Sequence, residues 1–213
     1  MENDYLEFEY LYPPRPEIAI IPEHINYYEK SKKWIAQYKK NGTCSIVAIS
    51  PLKEIIAMNR HKESHKQWSV TSHVKTELAR LFPENKWFVL IAELLHAKAK
   101  SIKDTLYIHD CVVWGSKFLY GSTFMERQKL LDARLITNAE AQTHYVCDSE
   151  GKIWYAKRFH KNLSYLFFGI KDTSIDEGLV LKDPNGKLQF CIKPDSNSGW
   201  SVKCRHETKN YLY

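Results

Sequence analysis

The clearest structural signal in this chain is Trp34-Ile-Ala-Gln-Tyr-Lys-Lys-Asn-Gly-Thr43, which the apolar run from Cys44 to Ile49 follows directly. Two strand-like segments meet at Asn41-Gly42, and Lys39 lies two residues before that corner. Asn-Gly between strands favours a tight hairpin, because both central turn residues need a positive φ. The simplest interpretation is a surface hairpin that carries two solvated lysines, Lys39 and Lys40.

Length and composition indicate a globular protein with an ordinary core. The chain has 213 residues, of which 44% are hydrophobic, and this length suffices for one large domain. We expect a single domain over residues 1–213, with a proline-rich, irregular lead-in over residues 1–22. No apolar run approaches the roughly 18 residues that a membrane span needs, and the N-terminus lacks the features of a signal peptide. An intracellular protein without membrane contact is expected, which leaves a phage or viral origin open.

Charge and cysteine content narrow the class of partner and of site. Lysine and arginine outnumber the acidic residues by 31 to 25, which gives a net charge of +6 and a pI near 8.9. A moderately basic chain favours a polyanionic partner. The five cysteines form no C-x-x-C pair, so the sequence indicates neither a zinc site nor a disulfide framework.

Hydrophobic periodicity predicts many strands and few helices. Helices are predicted near 23–32, 72–81, 123–135 and 157–166, and the third begins with a capping box from Thr123 to Glu126. Strands are predicted in the Trp34 segment and near 43–50, 53–58, 86–95, 105–114, 143–147, 152–156, 178–182, 187–192 and 200–205. A turn at Asp183-Pro-Asn-Gly186 is expected to join 178–182 to 187–192. Because βαβ alternation is missing, the pattern indicates an α+β domain with antiparallel sheets.

Four short motifs carry the residues with reactive side chains. They are Lys39-x-Asn41-Gly42, Phe88-Val-Leu-Ile-Ala-Glu93-Leu-Leu, Glu177-Gly-Leu-Val-Leu-Lys182 and Trp200-Ser-Val-Lys203-Cys-Arg205. In this order they resemble the motifs of the covalent nucleotidyltransferases, the superfamily of ATP-dependent DNA ligases, RNA ligases and mRNA capping enzymes. The resemblance covers roughly residues 34–205. It implies an ATP-grasp-like nucleotidyltransferase (adenylation) domain, with two antiparallel β-sheets flanked by helices.

The resemblance also implies a lysine nucleophile. In these enzymes the lysine of the first motif attacks the α-phosphorus of a nucleoside triphosphate, which releases pyrophosphate and leaves a lysyl–nucleotide bond. The matching residue is Lys39. Lys182, Lys203 and Arg205 would neutralise phosphate charge beside it, and such cations favour a neutral attacking amine. Lys203 and Arg205 lie two residues apart on a predicted strand, so they share one face.

Other positions match groups that hold the nucleotide and a metal. ATP is the expected nucleotide, and Glu93 and Glu177 are the expected neighbours of Mg²⁺ or Mn²⁺, since these hard ions bind oxygen. Strand alternation would put Glu177 and Lys182 on opposite faces, so we place Glu177 in a bend before the strand. The remaining candidates for nucleotide binding are Gln37, Asn41, Gly42, Arg60 and His109. The family often reads the adenine edge at the position of Gln37, and it has an aromatic residue stacked on the purine at the position of His109. Arg60 would contact the ribose and terminal phosphate of the bound strand.

The function that the resemblance implies is ATP-dependent sealing of 5′-phosphate to 3′-hydroxyl ends, with DNA nicks favoured. RNA ligase is the alternative, because Asn41 replaces the commoner Asp and the sequence ends eight residues after Arg205 without an OB domain. We therefore also expect a partner protein that supplies an OB-type clamp on the nucleic acid. An mRNA capping guanylyltransferase and a non-catalytic nucleotide- or nucleic-acid-binding module are further alternatives.

Overall fold

The computed structural model describes residues 4–99, 101–193 and 197–207. Within these residues the chain forms the α-helices α1 (Ile25–Ser31), α2 (Ser72–Leu81), α3 (Phe124–Leu135) and α4 (Leu163–Phe168), and a 3-10 helix at Pro22–His24. Its strands are β1 (Ile18–Ala19), β2 (Ile35–Lys40), β3 (Thr43–Ile49), β4 (Ile55–Met58), β5 (Phe88–Leu95), β6 (Thr105–Trp114), β7 (Lys117–Phe118), β8 (His144–Val146), β9 (Ile153–Ala156), β10 (Asp176–Lys182) and β11 (Ser201–Arg205).

Two sheets carry these strands. The larger sheet has the order β4-β3-β5-β6-β9-β8, with β7 beside β6, and the smaller has the order β1-β11-β10-β2. The prediction of two sheets flanked by helices is confirmed. The sheets are not wholly antiparallel, because β6 pairs with β9 and β1 pairs with β11 in parallel. The segment containing α3 is the long crossover that a parallel β6–β9 pair requires. No separate OB-type barrel occurs among the described residues.

The corner at Asn41-Gly42 passes the chain from one sheet to the other. β2 pairs with β10, whereas β3 pairs with β4 and β5, so the two strands that this corner connects are not neighbours. The predicted hairpin is therefore wrong, and neither corner residue has a positive φ. Space is what requires a glycine here, because a Cβ on Gly42 would lie 2.6 Å from both Cγ of Glu93 and the carbonyl oxygen of Leu94.

Helices cover one face of each sheet. α2 and α3 bury Leu78 and Leu131 against the larger sheet, and α1 and α4 bury Ile25 and Phe167 against the smaller one. The N-terminal segment packs on the opposite face of the larger sheet, where Tyr5 is buried. The part of the lead-in that the structure describes, from residue 4 onward, thus contributes Tyr5 and Leu11 to the core and β1 to the smaller sheet.

Two predicted elements differ in the structure, and backbone hydrogen bonds explain both. The helix predicted near 157–166 begins only at α4, because Phe159 exchanges backbone hydrogen bonds with Ala36 of β2. The strand predicted near 187–192 does not form, because the N–H of Leu188 donates to the carbonyl of Ser122 and both edges of β10 are taken by β2 and β11.

The other helices agree with the sequence. α2 spans the predicted residues and is capped by the hydroxyl of Thr71, which accepts a hydrogen bond from the N–H of Val74. α3 begins with the predicted capping box, in which the Thr123 and Glu126 side chains accept from each other's backbone N–H groups. Of the helices in the described ranges, none is both long and apolar enough to cross a membrane.

Candidate active site

A cavity of about 490 Å³ lies between the two sheets, with β2, β10 and β11 on one side and β3, β5 and β6 on the other. All the candidate residues of the sequence analysis line it: Gln37, Lys39, Asn41, Gly42, Arg60, Glu93, His109, Glu177, Lys182, Lys203 and Arg205. A cavity of this volume suits a small-molecule ligand or cofactor. The four motifs, which are far apart in the sequence, therefore converge on one site.

Lys39, Glu177 and Arg205 form a chain of ion pairs along the smaller sheet. Nζ of Lys39 contacts Oε1 of Glu177, and Nη2 of Arg205 lies 2.7 Å from Oε2 of the same carboxylate. The neighbouring strands β2, β10 and β11 each contribute one of the three side chains. Because the Glu177 side chain is only 10% exposed, these contacts hold the Lys39 amine at a defined place on the cavity wall.

A β-bulge in β10 turns Glu177 toward the cavity. Asp176 pairs with Lys40 and Gly178 pairs with Lys39, which leaves Glu177 as the extra residue between two consecutive pairs. Glu177 thus shares the cavity face with Lys182, although it lies inside the strand. The prediction that Glu177 precedes the strand in a bend is wrong, because the bulge resets the alternation without ending the strand.

The bulge requires a glycine at position 178. Gly178 has a φ of +152°, and a Cβ there would lie 2.0 Å from the carbonyl oxygen of Cys204 on β11. Any side chain would therefore push the two strands apart. The Glu-Gly pair of the third motif follows from this geometry: the carboxylate enters the cavity, and the glycine lets β11 approach closely enough to bring Arg205 to it.

Lys40 is buried and paired within the protein, so the expectation that it is solvated is wrong. Its side chain is 1% exposed, and its Nζ lies 2.6 Å from Oδ1 of Asp176 and donates to Oγ1 of Thr143 at 2.9 Å. Burial lowers the pKa of Lys40 and raises the pKa of Asp176, while their mutual attraction opposes both shifts. Two adjacent ion pairs, Lys39–Glu177 and Lys40–Asp176, thus join β2 to β10 on opposite faces.

Glu93 closes the cavity beneath the Asn41-Gly42 corner. Burial raises the pKa of Glu93, although Lys39 and Lys98 oppose this shift. Nζ of Lys98 also donates to the carbonyl oxygen of Gly42 at 2.6 Å, which ties the corner to the end of the larger sheet. Both Glu93 and Glu177 therefore lie within the electrostatic reach of Lys39.

Two polar groups at the inner end of the cavity lack partners among the described residues. Oε1 of Gln37 is buried without a hydrogen bond, although Nε2 of the same side chain donates to Oε1 of Gln128 at 3.3 Å. Nδ1 of His109 is also buried without a partner. Burial, reinforced by Lys182, lowers the pKa of His109 to about 3, so its ring is neutral at physiological pH. Buried polar atoms without protein partners at a cavity can be satisfied by water or by a ligand with polar edges.

Three further basic residues, Lys182, Lys203 and Arg60, line the cavity. Lys182 is buried, and its Nζ lies 4.6 Å from the centre of the Phe124 ring. Burial lowers the pKa of Lys182 to about 8, with Asp110 opposing the shift and Arg127 adding to it. Nζ of Lys203 donates to the carbonyl oxygen of Pro16 at 3.3 Å, and burial is the main cause of its lowered pKa. Arg60 is exposed at the rim.

Several residues near the site were not predicted from the sequence. Arg15 and Lys98 line the cavity as additional cations. Arg127 forms a fully buried ion pair with Asp110, at 2.8 Å between Nε and Oδ1. Burial acts to raise the pKa of Asp110, but Arg127 outweighs it and holds the pKa below its usual value. The sequence carried a signal for this buried pair, because the polar residues Arg127 and Gln128 lie on the otherwise apolar face of α3.

The carboxylates fit a divalent ion that is held mainly by a nucleotide. No cluster of three or more histidine, cysteine, aspartate or glutamate side chains that could hold a metal occurs in the part of the chain that the structure describes. Mg²⁺ commonly binds one or two carboxylates and completes its coordination with substrate phosphates and water. Glu93 and Glu177, both on the cavity wall, provide a donor set of this kind.

Comparison with known proteins finds similarity in structure. No protein-family model and no curated protein matches the sequence. The ligase domain of LigD from M. tuberculosis matches with a TM-score of 0.58 and 14% identity, over 93% of this chain and 61% of that one. A mycobacterial DNA ligase D complexed with ATP and MES matches with a TM-score of 0.54 and 14% identity, over 81% of this chain and 54% of that one. An archaeal ATP-dependent RNA ligase matches with a TM-score of 0.51 and 14% identity, over 95% of this chain and 51% of that one.

These matches establish the fold. The chain shares the fold of these ligase structures, which agrees with the fold that its motifs predict. It spans about half to three-fifths of the length of these solved structures. Both DNA ligases and an RNA ligase are among these structures.

Proposed function

We propose that this chain is an ATP-dependent polynucleotide ligase that joins a 5′-phosphate to a 3′-hydroxyl, with DNA nicks as the favoured substrate. The observation that carries this proposal is the convergence of Lys39 with Lys182, Lys203 and Arg205 on one cavity of a suitable size. The fold supports the same class of reaction, since one of the structures that it resembles is a DNA ligase complexed with ATP.

In the first step, Nζ of Lys39 attacks the α-phosphorus of ATP. A phosphorus–nitrogen bond forms, the bond from the α-phosphorus to the bridging oxygen breaks, and pyrophosphate leaves. The ammonium must lose a proton before it attacks, and Oε1 of Glu177, which contacts it, is placed to accept that proton. Arg205 holds the other oxygen of this carboxylate and so keeps Glu177 in position.

In the second and third steps, AMP passes from Lys39 to the 5′-phosphate, and the 3′-hydroxyl then displaces AMP. Such transfers depend on positioning and on the neutralisation of developing negative charge. Lys182 and Lys203 extend from neighbouring strands into the cavity and supply this charge. A divalent ion, Mg²⁺ or Mn²⁺, held by Glu93 or Glu177 together with the phosphates, would screen the phosphate oxygens further.

The polar inner end of the cavity would hold the base. Gln37 and His109 present buried hydrogen-bonding atoms there without protein partners among the described residues. Arg60, exposed at the rim, would meet the phosphates or ribose of the bound strand, where a guanidinium can bind two oxygens at once. A partner protein that supplies an OB-type clamp on the nucleic acid is part of this proposal.

Covalent labelling tests the first step. The protein is incubated with ATP or GTP labelled at the α-phosphate, with Mg²⁺, and denatured before label is counted. We expect acid-labile label from ATP that is absent in Lys39→Ala and in Lys39→Arg. No label, or label that persists in both variants, would refute the mechanism. Label from GTP alone would favour the capping guanylyltransferase instead.

Nicked duplexes test the substrate. Four duplexes are compared, with DNA or RNA on the 3′-hydroxyl side and DNA or RNA on the 5′-phosphate side of the nick. We expect faster sealing when both sides are DNA. Sealing confined to RNA 3′-hydroxyl ends would make RNA ligase the function, and nucleotide binding without label or sealing would indicate a non-catalytic binding module.

A further inference from the structure

A chain of polar side chains lies behind Gln37, outside the cavity. Arg158 donates through Nη2 to both carboxylate oxygens of Asp132 at 2.8 Å, and through Nη1 to Oε1 of Gln128 at 3.1 Å. Gln128 and Asp132 lie one turn apart on α3, and Gln128 is fully buried. The chain ends where Nε2 of Gln37 donates to Oε1 of Gln128 at 3.3 Å.

Both ends of the Gln128 amide are fixed by groups whose roles are unambiguous. A guanidinium can only donate, so the Gln128 atom facing Arg158 must be the oxygen. A backbone carbonyl can only accept, so the atom facing the carbonyl of His109, at 3.2 Å, must be the Gln128 nitrogen. The orientation of this amide therefore follows from its neighbours, as an assignment of amide atoms requires.

The fixed Gln128 in turn fixes Gln37. Because Gln128 presents an oxygen, Gln37 must present its NH₂ group to it, since a flipped Gln37 would bring two acceptors face to face. Oε1 of Gln37 is thereby turned away from α3. This oxygen is buried and has no hydrogen-bond donor among the described residues, and its side chain lines the cavity. A ligand that satisfies it must bring a donor.

Adenine and guanine differ in the group on carbon 6, which is the edge of the base that the Gln37 oxygen would meet. Adenine carries an amine, a donor, on carbon 6, whereas guanine carries a carbonyl oxygen, an acceptor, on the same atom. An acceptor in the pocket that faces carbon 6 and cannot turn over pairs with the adenine amine and opposes the guanine carbonyl. A buried group left unpaired by the wrong ligand is also the strongest form of discrimination between similar molecules.

We propose that Gln128, anchored by Arg158 and Asp132, is a positioning residue that sets the preference for adenine over guanine by locking the Gln37 amide. The proposal rests on the proposed nucleotide-dependent function and assigns its base selectivity to residues that do not touch the nucleotide. Their effect passes through one hydrogen bond, from Gln37 to Gln128.

Nucleotide binding by the intact chain tests the proposal, with the dissociation constants for ATP and GTP measured by titration calorimetry. Gln128→Met keeps the side-chain length but removes the acceptor, so Gln37 is free to turn. We expect the ratio of GTP to ATP dissociation constants to fall by roughly tenfold or more. Gln128→Glu keeps an oxygen for both Arg158 and Gln37 but turns its other oxygen to the carbonyl of His109, and we expect it to retain more of the preference than Gln128→Met.

Two further variants guard against a general effect of destabilisation. Asp132→Asn alters the anchor at a residue whose side chain is 24% exposed, and we expect a smaller change in the same direction. Cys111→Ala makes a cavity in the fully buried contact between β6 and α3, outside the polar chain, and we expect an unchanged ratio.

The outcomes separate this proposal from the proposed function. A wild-type preference for ATP that Gln128→Met leaves intact would overturn the role of Gln128 and leave the ligase proposal standing. A wild-type preference for GTP would overturn the locked Gln37 acceptor. If the wild-type protein binds neither nucleotide, the proposed function fails, and the selectivity proposal fails with it.

Discussion

Lys39 and Glu177 contact each other across β2 and β10 because a β-bulge places Glu177 on the cavity face of its strand. Without the bulge, Glu177 would share a face with Leu179, which is buried against α1 and α4. The bulge therefore links a backbone feature to the proposed chemistry, since it brings the proposed nucleophile and its proposed proton acceptor together. Arg205 completes the group from the neighbouring strand.

Removing the charge of Glu177 should slow the first step. In Glu177→Gln the amide cannot take a proton from Lys39 and no longer balances Lys39 and Arg205. We expect the rate of Lys39 adenylylation to fall by about 100-fold. Single-turnover labelling with α-labelled ATP measures this rate. Glu150→Gln, at an exposed carboxylate paired with His73, is the matched control, and a Glu177→Gln rate within twofold of it would contradict the role.

A side chain at position 178 should destabilise the fold. In Gly178→Ala the new Cβ would lie 2.0 Å from the carbonyl oxygen of Cys204, at a φ of +152°. We expect a loss of about 3 kcal/mol in the free energy of unfolding, measured by chemical denaturation. Gly199→Ala is the control, because a Cβ there meets nothing within 4 Å. Equal stability of the two variants would show that the bulge tolerates a side chain.

The buried pair of Lys40 and Asp176 should show strong coupling. Lys40→Met leaves the Asp176 carboxylate without its cation, and we expect a loss of about 3 kcal/mol at neutral pH. Because the pKa of Asp176 is already raised by burial, protonation relieves the variant as the pH falls, so the loss should shrink in acid. A double-mutant cycle with Asp176→Asn measures the coupling, and additive effects of the two substitutions would contradict it.

ATP affinity should fall as the pH rises through the pKa of Lys182. Burial lowers that pKa to about 8 from the usual value of 10.5. Below pH 8 the side chain is charged and attracts phosphate, and above it the free protein has lost this charge and must take up a proton to regain it. Titration calorimetry from pH 7 to 9 measures the change. Lys182→Met should bind ATP more weakly and with a flatter pH dependence, and an identical profile would refute the assignment.

The sequence identified residues that line the cavity because three of the four motifs lie on β5, β10 and β11, and the first covers the end of β2 and the corner after it. Two-residue alternation alone places Lys203 and Arg205 on one face, and the structure brings both to the cavity. The capping box of α3 was equally local, since Thr123 and Glu126 satisfy each other's backbone. Such features depend on neighbours in the chain and can be read from it.

What the sequence could not reveal depends on contacts between distant segments. Asn41-Gly42 has the composition of a hairpin, but β2 and β3 each find other partners, and the glycine is needed for its approach to Glu93. Lys40 looks like a surface lysine until Asp176 and Thr143 enclose it. In both cases long-range packing outweighs the local preference.

The most direct test of the proposed chemistry is to locate the AMP group. Lys39 and Lys40 are adjacent and both line the cavity, but the Lys39 amine contacts Glu177 and is partly exposed, whereas the Lys40 amine is buried against Asp176. The protein is treated with ATP and Mg²⁺, digested under conditions that preserve the phosphorus–nitrogen bond, and mapped by tandem mass spectrometry. We predict AMP on Lys39 and none on Lys40. AMP on Lys40 or on another residue, or no adduct at all, would contradict the assignment of Lys39 as the nucleophile.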